Sequence, residues 1–176
     1  MKTLIAIPLF NEEKTIKKLI GLIKKYTGSD ILIIDDGSSD NSVKILRSVK
    51  NIKLLRNSVR KGYGSTLQKI FDFSIKNNYK YLITLDADLQ HEPLYIPEFM
   101  KFIQRYDIVS GSRYLKNSKI KSPAPEKRRY VNLIITKIIN RITNYNLTDS
   151  FCGFKGYKVE SLRKIRLSSK GLAAPL

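Results

Sequence analysis

Two carboxylates stand two residues apart in Asp86-Ala87-Asp88, directly after the apolar run from Tyr81 to Leu85. In an extended turn, residues two apart project the same way, so both side chains can face one cation. Mg²⁺ is typically held by one or two carboxylates while phosphate oxygens fill further positions. Bound there, the ion would neutralise a departing diphosphate. A bare Asp-x-Asp also serves as an ordinary strand-to-helix turn, so its weight comes from its position at a strand end. A second acidic pair, Asp35-Asp36, precedes Gly37-Ser38. Strand-end carboxylates accept hydrogen bonds from ribose hydroxyls or base amines. Gly37 and Asp40 would equally build a turn and a helix cap.

Other groups are more ambiguous. Lys61-Gly62-Tyr63-Gly64 lacks the Gly-Lys-Ser/Thr ending of a Walker loop. It reads either as backbone amides approaching an anion or as a flexible turn. Arg113 follows an expected strand, and Arg128-Arg129 open an expected helix. Arginine can clamp a phosphate through two parallel hydrogen bonds; surface charge is the alternative, and it suits Arg128 better than Arg113. His91, the sole histidine, reads as a helix-start residue near solvent rather than a ligand, and Cys152 as core rather than nucleophile. With one histidine, no Ser-His-Asp or Cys-His arrangement can be argued.

These groups need positioning, and the chain supplies it by alternation. Apolar runs at 4–7, 31–34, 52–55, 81–85 and 108–109 read as strands. Between them, apolar residues recur at helical spacing: Ile16, Leu19, Ile20 and Ile23, then Leu67, Ile70 and Phe71, then Ile96, Phe99, Met100 and Ile103. Asp40 is a good N-cap for a short helix through Val43 and Leu46. Pro93 suits the first turn of another. Continuous apolar strands joined by amphipathic helices predict an α/β fold with a mostly parallel sheet covered on both faces. Ligands then bind beyond the carboxyl ends of the strands, where Asn11-Glu12, Asp35-Asp36, Asp86-Ala87-Asp88 and Ser112-Arg113 all fall. Residues 115–127 read as a Lys, Ser and Pro-rich connection. A basic helix follows from Arg128 to about Tyr145, with its isoleucines expected in the core in preference to a membrane surface.

Composition sets bounds. The chain has 176 residues, 42% of them hydrophobic, and a formal charge of +18. One domain with a substantial core is expected. A single cysteine excludes an internal disulfide. Residues 1–100 hold 16 basic and 11 acidic side chains, and the remainder 17 and 4. Such a basic half attracts phosphates or an anionic membrane surface, although scattered lysine is also ordinary solvated surface. Nucleic acid is not expected as a partner, because charge alone suggests it and no recognition motif accompanies it. No run reaches the roughly 18–20 apolar residues that span a bilayer.

Six segments in order carry a resemblance: Ile7-Pro8-Leu9-Phe10-Asn11-Glu12, Ile34-Asp35-Asp36-Gly37-Ser38, Lys61-Gly62-Tyr63-Gly64, Asp86-Ala87-Asp88-Leu89-Gln90, Gly111-Ser112-Arg113-Tyr114, and Asp149 through Gly153-Phe154. The set resembles family 2 glycosyltransferases of GT-A fold, in the branch with dolichyl-phosphate mannosyltransferases and polyprenyl-phosphate glycosyltransferases. The resemblance implies a Rossmann-like catalytic domain over residues 1–166. It implies inverting transfer of a sugar from a GDP- or UDP-sugar to a polyprenyl or dolichyl phosphate, at the cytoplasmic membrane face. Pro8, Phe10, Glu12, Ile34, Asp36, Ala87 and Gln90 would contact the donor. Asp86 and Asp88 would hold Mg²⁺ or Mn²⁺, with Asp88 also counted as catalytic. Arg113 and Arg129 would contact phosphates.

A phosphate monoester is already anionic and needs no general base, whereas a hydroxyl acceptor does. After residue 100 the acidic residues are only Asp107, Glu126, Asp149 and Glu160. That favours a lipid phosphate, with Asp149 as the remaining candidate base. Transfer to a polysaccharide hydroxyl and a non-catalytic nucleotide-binding remnant are the rival expectations. The abrupt change of character over 167–176 reads as an irregular tail, consistent with truncation or a frameshift. The sequence does not specify the oligomeric state.

Overall fold

The computed structural model describes residues 2–115 and 126–164. Most of the expected 115–127 connection and all of the 167–176 tail lie outside them. The first half alternates as anticipated: β1 (Thr3–Leu9), α1 (Ile16–Tyr26), β2 (Asp30–Asp35), α2 (Ser42–Arg47), β3 (Lys53–Arg56), α3 (Tyr63–Lys76) and β4 (Tyr81–Thr84). A short 3₁₀ turn over Pro93–Tyr95 leads into α4 (Ile96–Phe102), β5 (Ile108–Ser110), α5 (Glu126–Thr143), β6 (Lys155–Lys158) and α6 (Val159–Leu162).

Among the described residues the strands form one sheet in the order β3-β2-β1-β4-β6-β5. β1 pairs in parallel with both β2 and β4, and β2 with β3. β6 runs antiparallel between β4 and β5. β6 is not among the expected strands, because Lys-Gly-Tyr-Lys has neither an apolar run nor clear alternation.

Period-two side-chain alternation divides the core between the two faces. Ile5, Ile7, Leu9, Ile31 and Ile33 point to one side, where they meet Ile16, Leu19, Ile20 and Ile23 of α1. Leu4, Ala6, Leu32 and Ile34 point to the other, against Leu67, Ile70 and Phe71 of α3. Each fully buried Leu or Ile contributes about 1.5–3 kcal/mol over leaving it exposed. Asn41, not the expected Asp40, is the N-cap residue of α2, but the Asp40 carboxylate one position earlier accepts from the Ser42 amide at 2.9 Å.

α5 departs from expectation. Its inward residues are Asn132 and Thr136, whereas Val131, Leu133, Ile134, Ile138 and Ile142 are 40–78% exposed. The cause is a polar interior strip: Asn132 donates to Asp149 at 2.9 Å, and the Thr136 and Ser150 hydroxyls are 2.5 Å apart. Buried Asp149 and Ser150 need those partners, so the isoleucines are turned outward. Among the described residues, no helix is long and apolar enough to cross a membrane.

Candidate active site

β1 lies between β2 and β4, so the chain leaves it in opposite directions across the sheet. Such a switch point opens a crevice beyond the strand ends. Into it come Phe10 to Glu12 after β1 and Asp86 to Asp88 after β4. Burial pushes the Glu12 pKa up, and the carboxylates of Asp88, Asp40 and Asp86 push the same way against the Thr15 hydroxyl. Glu12, Asp86 and Asp88 therefore share one negative field, which a cation relieves.

Asp86, Asp88, Gln90 and Arg113 line a single cavity of about 610 Å³, together with Lys127, Arg128 and Lys155. That volume suits a nucleotide-sized ligand. Asp88 is exposed and accepts from the Gln90 amide at 3.0 Å. Leu89 between them has φ 61°, a left-handed conformation that a leucine adopts at a cost of roughly 1–2 kcal/mol. Backbone strain of this kind gathers at ligand sites. Among the described residues no three His, Cys, Asp or Glu side chains are grouped to hold a metal alone. Two cavity-facing carboxylates nevertheless fit a hard divalent cation that takes its other ligands from a diphosphate and water.

Asp36 does not line this cavity. It is buried, accepting from Asn57 Nδ2 at 2.6 Å, the Lys61 amide at 2.9 Å and the Gly62 amide at 2.7 Å. The Lys61-Gly62 amides therefore do meet an anion, and that anion is Asp36. Gly62, with φ 90°, is in a conformation suited to glycine. Asp35, also buried, pairs with Arg56 at 3.1 Å. Asn11 reaches across to the same turn, accepting from the Ser39 amide at 2.9 Å. Phe10 is half-buried beneath the Arg60 guanidinium, 4.1 Å from its ring centre. Pro8 is buried within β1, Ile34 is wholly enclosed and Ala87 is 5% exposed. The last two side chains belong to the core clusters.

The cationic wall is organised by Asp149. Arg113 clamps it through Nε at 2.8 Å and Nη2 at 3.1 Å, and the Arg113 amide adds a third bond at 3.1 Å. Burial opposes the charged carboxylate, but the Arg113 bonds and charge, with Asn132, hold the Asp149 pKa below the usual carboxylate range. Such a group is a poor general base at neutral pH. The Arg113 and Arg129 guanidiniums lie 5.5 and 5.8 Å from the Tyr114 ring centre, so that ring brings them together. Lys127 and Arg128 stand on the cavity wall.

Four neighbours of Asp86 and Asp149 carry no site role in the sequence reading. Lys155 lines the cavity and donates to Ser110 at 3.1 Å; burial pulls its pKa down. Tyr63 donates to Asp86 at 3.4 Å. His91, expected near solvent, is instead 8% exposed, with Nε2 at 3.5 Å from Asp86. Gly153 also lines the cavity. Proximity in sequence could have suggested His91 alone, since the others come from α3, the segment before β6 and the first residue of β6. Cys152 is buried in the core, as expected.

Residues 4–166 match the family described as Glycosyl transferase family 2. An uncharacterised protein of Methanocaldococcus jannaschii is 32% identical over 168 residues, covering 91% of this chain and 73% of that protein. The undecaprenyl-phosphate mannosyltransferase of Micrococcus luteus is 26% identical over 174 residues, covering 96% and 71%. Glucosyl-3-phosphoglycerate synthase from Mycobacterium tuberculosis, solved with Mn²⁺, UDP and phosphoglyceric acid, superposes with a TM-score of 0.75 at 16% identity, covering 99% of this chain and 61% of that one. That likeness establishes a common GT-A architecture. The chain spans 61–73% of the length of these three proteins.

Proposed function

The chain belongs to glycosyltransferase family 2, and from that premise we propose that it transfers a hexosyl group, with inversion, from a GDP- or UDP-sugar to a polyprenyl or dolichyl phosphate. The reading rests most on one observation. Asp149, the best-placed candidate base after residue 100, is tied up by Arg113, while the cavity wall beside Asp86 and Asp88 carries Lys127, Arg128 and Lys155. A wall with cations and no free base suits an anionic nucleophile.

Asp86 and Asp88 would hold Mg²⁺ or Mn²⁺, which when bound neutralises the diphosphate leaving group. Glu12 and Gln90 border the donor, and the Asp36 clasp keeps the 57–62 loop against it. The basic wall orients the acceptor phosphate in line with the anomeric carbon. An acceptor phosphate oxygen forms the new bond to that carbon as the bond to the donor diphosphate breaks. The nucleoside diphosphate departs and no proton needs to move. Inversion follows from attack on the opposite face.

The acceptor's lipid nature draws support from α5. Its exposed isoleucines, flanked by Lys127, Arg128, Arg129, Lys137 and Arg141, suit the plane of an anionic membrane. The chain would therefore work peripherally, at the cytoplasmic face. The lipid acceptor named for the Micrococcus relative points the same way.

The test is product analysis. Radiolabelled GDP- and UDP-sugars are offered with Mn²⁺, first with undecaprenyl phosphate and then with an oligosaccharide. Label entering the mild-acid-labile, organic-soluble fraction is expected. Label entering only the oligosaccharide would overturn the acceptor assignment.

A further inference from the structure

Asp86 is held more closely than a single ligand for an ion requires. A Cβ built on Gly153 would lie 2.0 Å from Asp86 Oδ2 and 2.4 Å from both its Cγ and its Oδ1. Such near-equal distances mean that the carboxylate lies face-on over the glycine. Gly153 is absent from the residues with positive φ, so turn conformation does not require a glycine; close approach does. Its carbonyl accepts from Thr84 at 2.9 Å, which pins it to the strand leading into Asp86.

Two side chains complete the enclosure. Tyr63 donates to Oδ1 at 3.4 Å, and His91 Nε2 sits 3.5 Å from Oδ2. His91 is itself fixed, with Nδ1 3.9 Å from the Cys152 sulfur and its ring centre 5.8 Å from that of Phe154. An ionised carboxylate offers about four lone-pair directions. Tyr63 and His91 take one each, and Asp86 keeps a side chain 30% exposed for the rest.

We propose that Gly153, His91 and Tyr63 are positioning residues that preset the Asp86 carboxylate toward the cavity and thereby set the affinity for the divalent cation. Groups of this kind orient ligands before the ion arrives. The inference rests on the donor-site reading above and deepens it. The same segment supplies Asp149, which holds Arg113, so residues 149–155 fix the donor carboxylate and the acceptor-side cation on one piece of backbone.

The test measures Mn²⁺ binding by electron paramagnetic resonance on the full chain, with GDP or UDP present, for the wild type, Gly153→Ala, His91→Leu, His91→Gln and Tyr63→Phe. Thermal melts check that each variant folds. Gly153→Ala and His91→Leu are expected to bind Mn²⁺ about 10- to 100-fold more weakly. His91→Gln, which keeps a donor, is expected to recover part of the loss. Folded Gly153→Ala or His91→Leu with wild-type Mn²⁺ affinity overturns the proposal and leaves the donor-site reading intact. A wild type that binds no Mn²⁺ with either nucleotide overturns the reading and the proposal together. If Gly153→Ala does not fold, the His91 pair decides.

Discussion

Asp149 carries the energetic consequences of a buried charge most plainly. Its side chain is fully enclosed, and its Arg113 partner is 19% exposed. Removing one member of such a pair typically costs about 3–5 kcal/mol. Asp149→Asn should therefore lower stability at pH 7 by roughly 3 kcal/mol, read from urea denaturation. The pH dependence follows from the direction of the shift. A carboxyl whose folded pKa is depressed stabilises fully above its unfolded pKa, and that contribution fades as pH falls through the folded value. The difference between wild type and Asp149→Asn should thus shrink below about pH 4. An equal difference at pH 3 and pH 7 would contradict the ion-pair account. At this scale the sequence was partly readable. Asp86 and Asp88 stood out because a buried strand runs straight into them. Asp36 stood out too, but its use did not, since its partners are 21 to 26 residues away. Gly153 was visible within a resemblance segment, but the need for a glycine there was not, because the reason is a carboxylate 67 residues earlier.

Among the elements, α5 gives the clearest physical test. Its apolar positions were visible in the sequence, but which way they faced depended on Asp149 and Ser150 demanding polar partners from Asn132 and Thr136. Periodicity finds a stripe; it does not say what the stripe meets. Ile138, 48% exposed, can become Glu with little effect on folding, within about 0.5 kcal/mol. The combined Ile134→Glu and Ile138→Glu variant should nonetheless sediment far less with vesicles containing phosphatidylglycerol. Unchanged sedimentation would remove α5 from the membrane reading. β6 was invisible for a different reason: its four residues are held by neighbours on both sides rather than by their own propensity.

Across the whole molecule, the parallel half of the sheet was legible because β1, β2 and β4 are buried on both faces and read as continuous apolar runs. The order of strands, and hence the crevice between β1 and β4, came only with the pairing. The proposed chemistry also has a signature at this scale. Because an anionic phosphate nucleophile needs no general base, kcat/KM should follow the acceptor's second phosphate ionisation, near pH 6. Activity should plateau above that pH and fall about tenfold per unit below it. A descending limb set by a group that Asp149→Asn abolishes would instead mark Asp149 as a base. The basic surface predicts further that association with anionic vesicles weakens as salt rises.

The most direct measurement is calorimetric titration of GDP- and UDP-sugars into the wild type and Asp88→Ala, each with Mn²⁺ and with chelator. At least one donor should bind the wild type in a metal-dependent way, and Asp88→Ala should lose that metal-dependent part. Donor affinity that is the same in both proteins, with or without the ion, would contradict the assignment of Asp86 and Asp88.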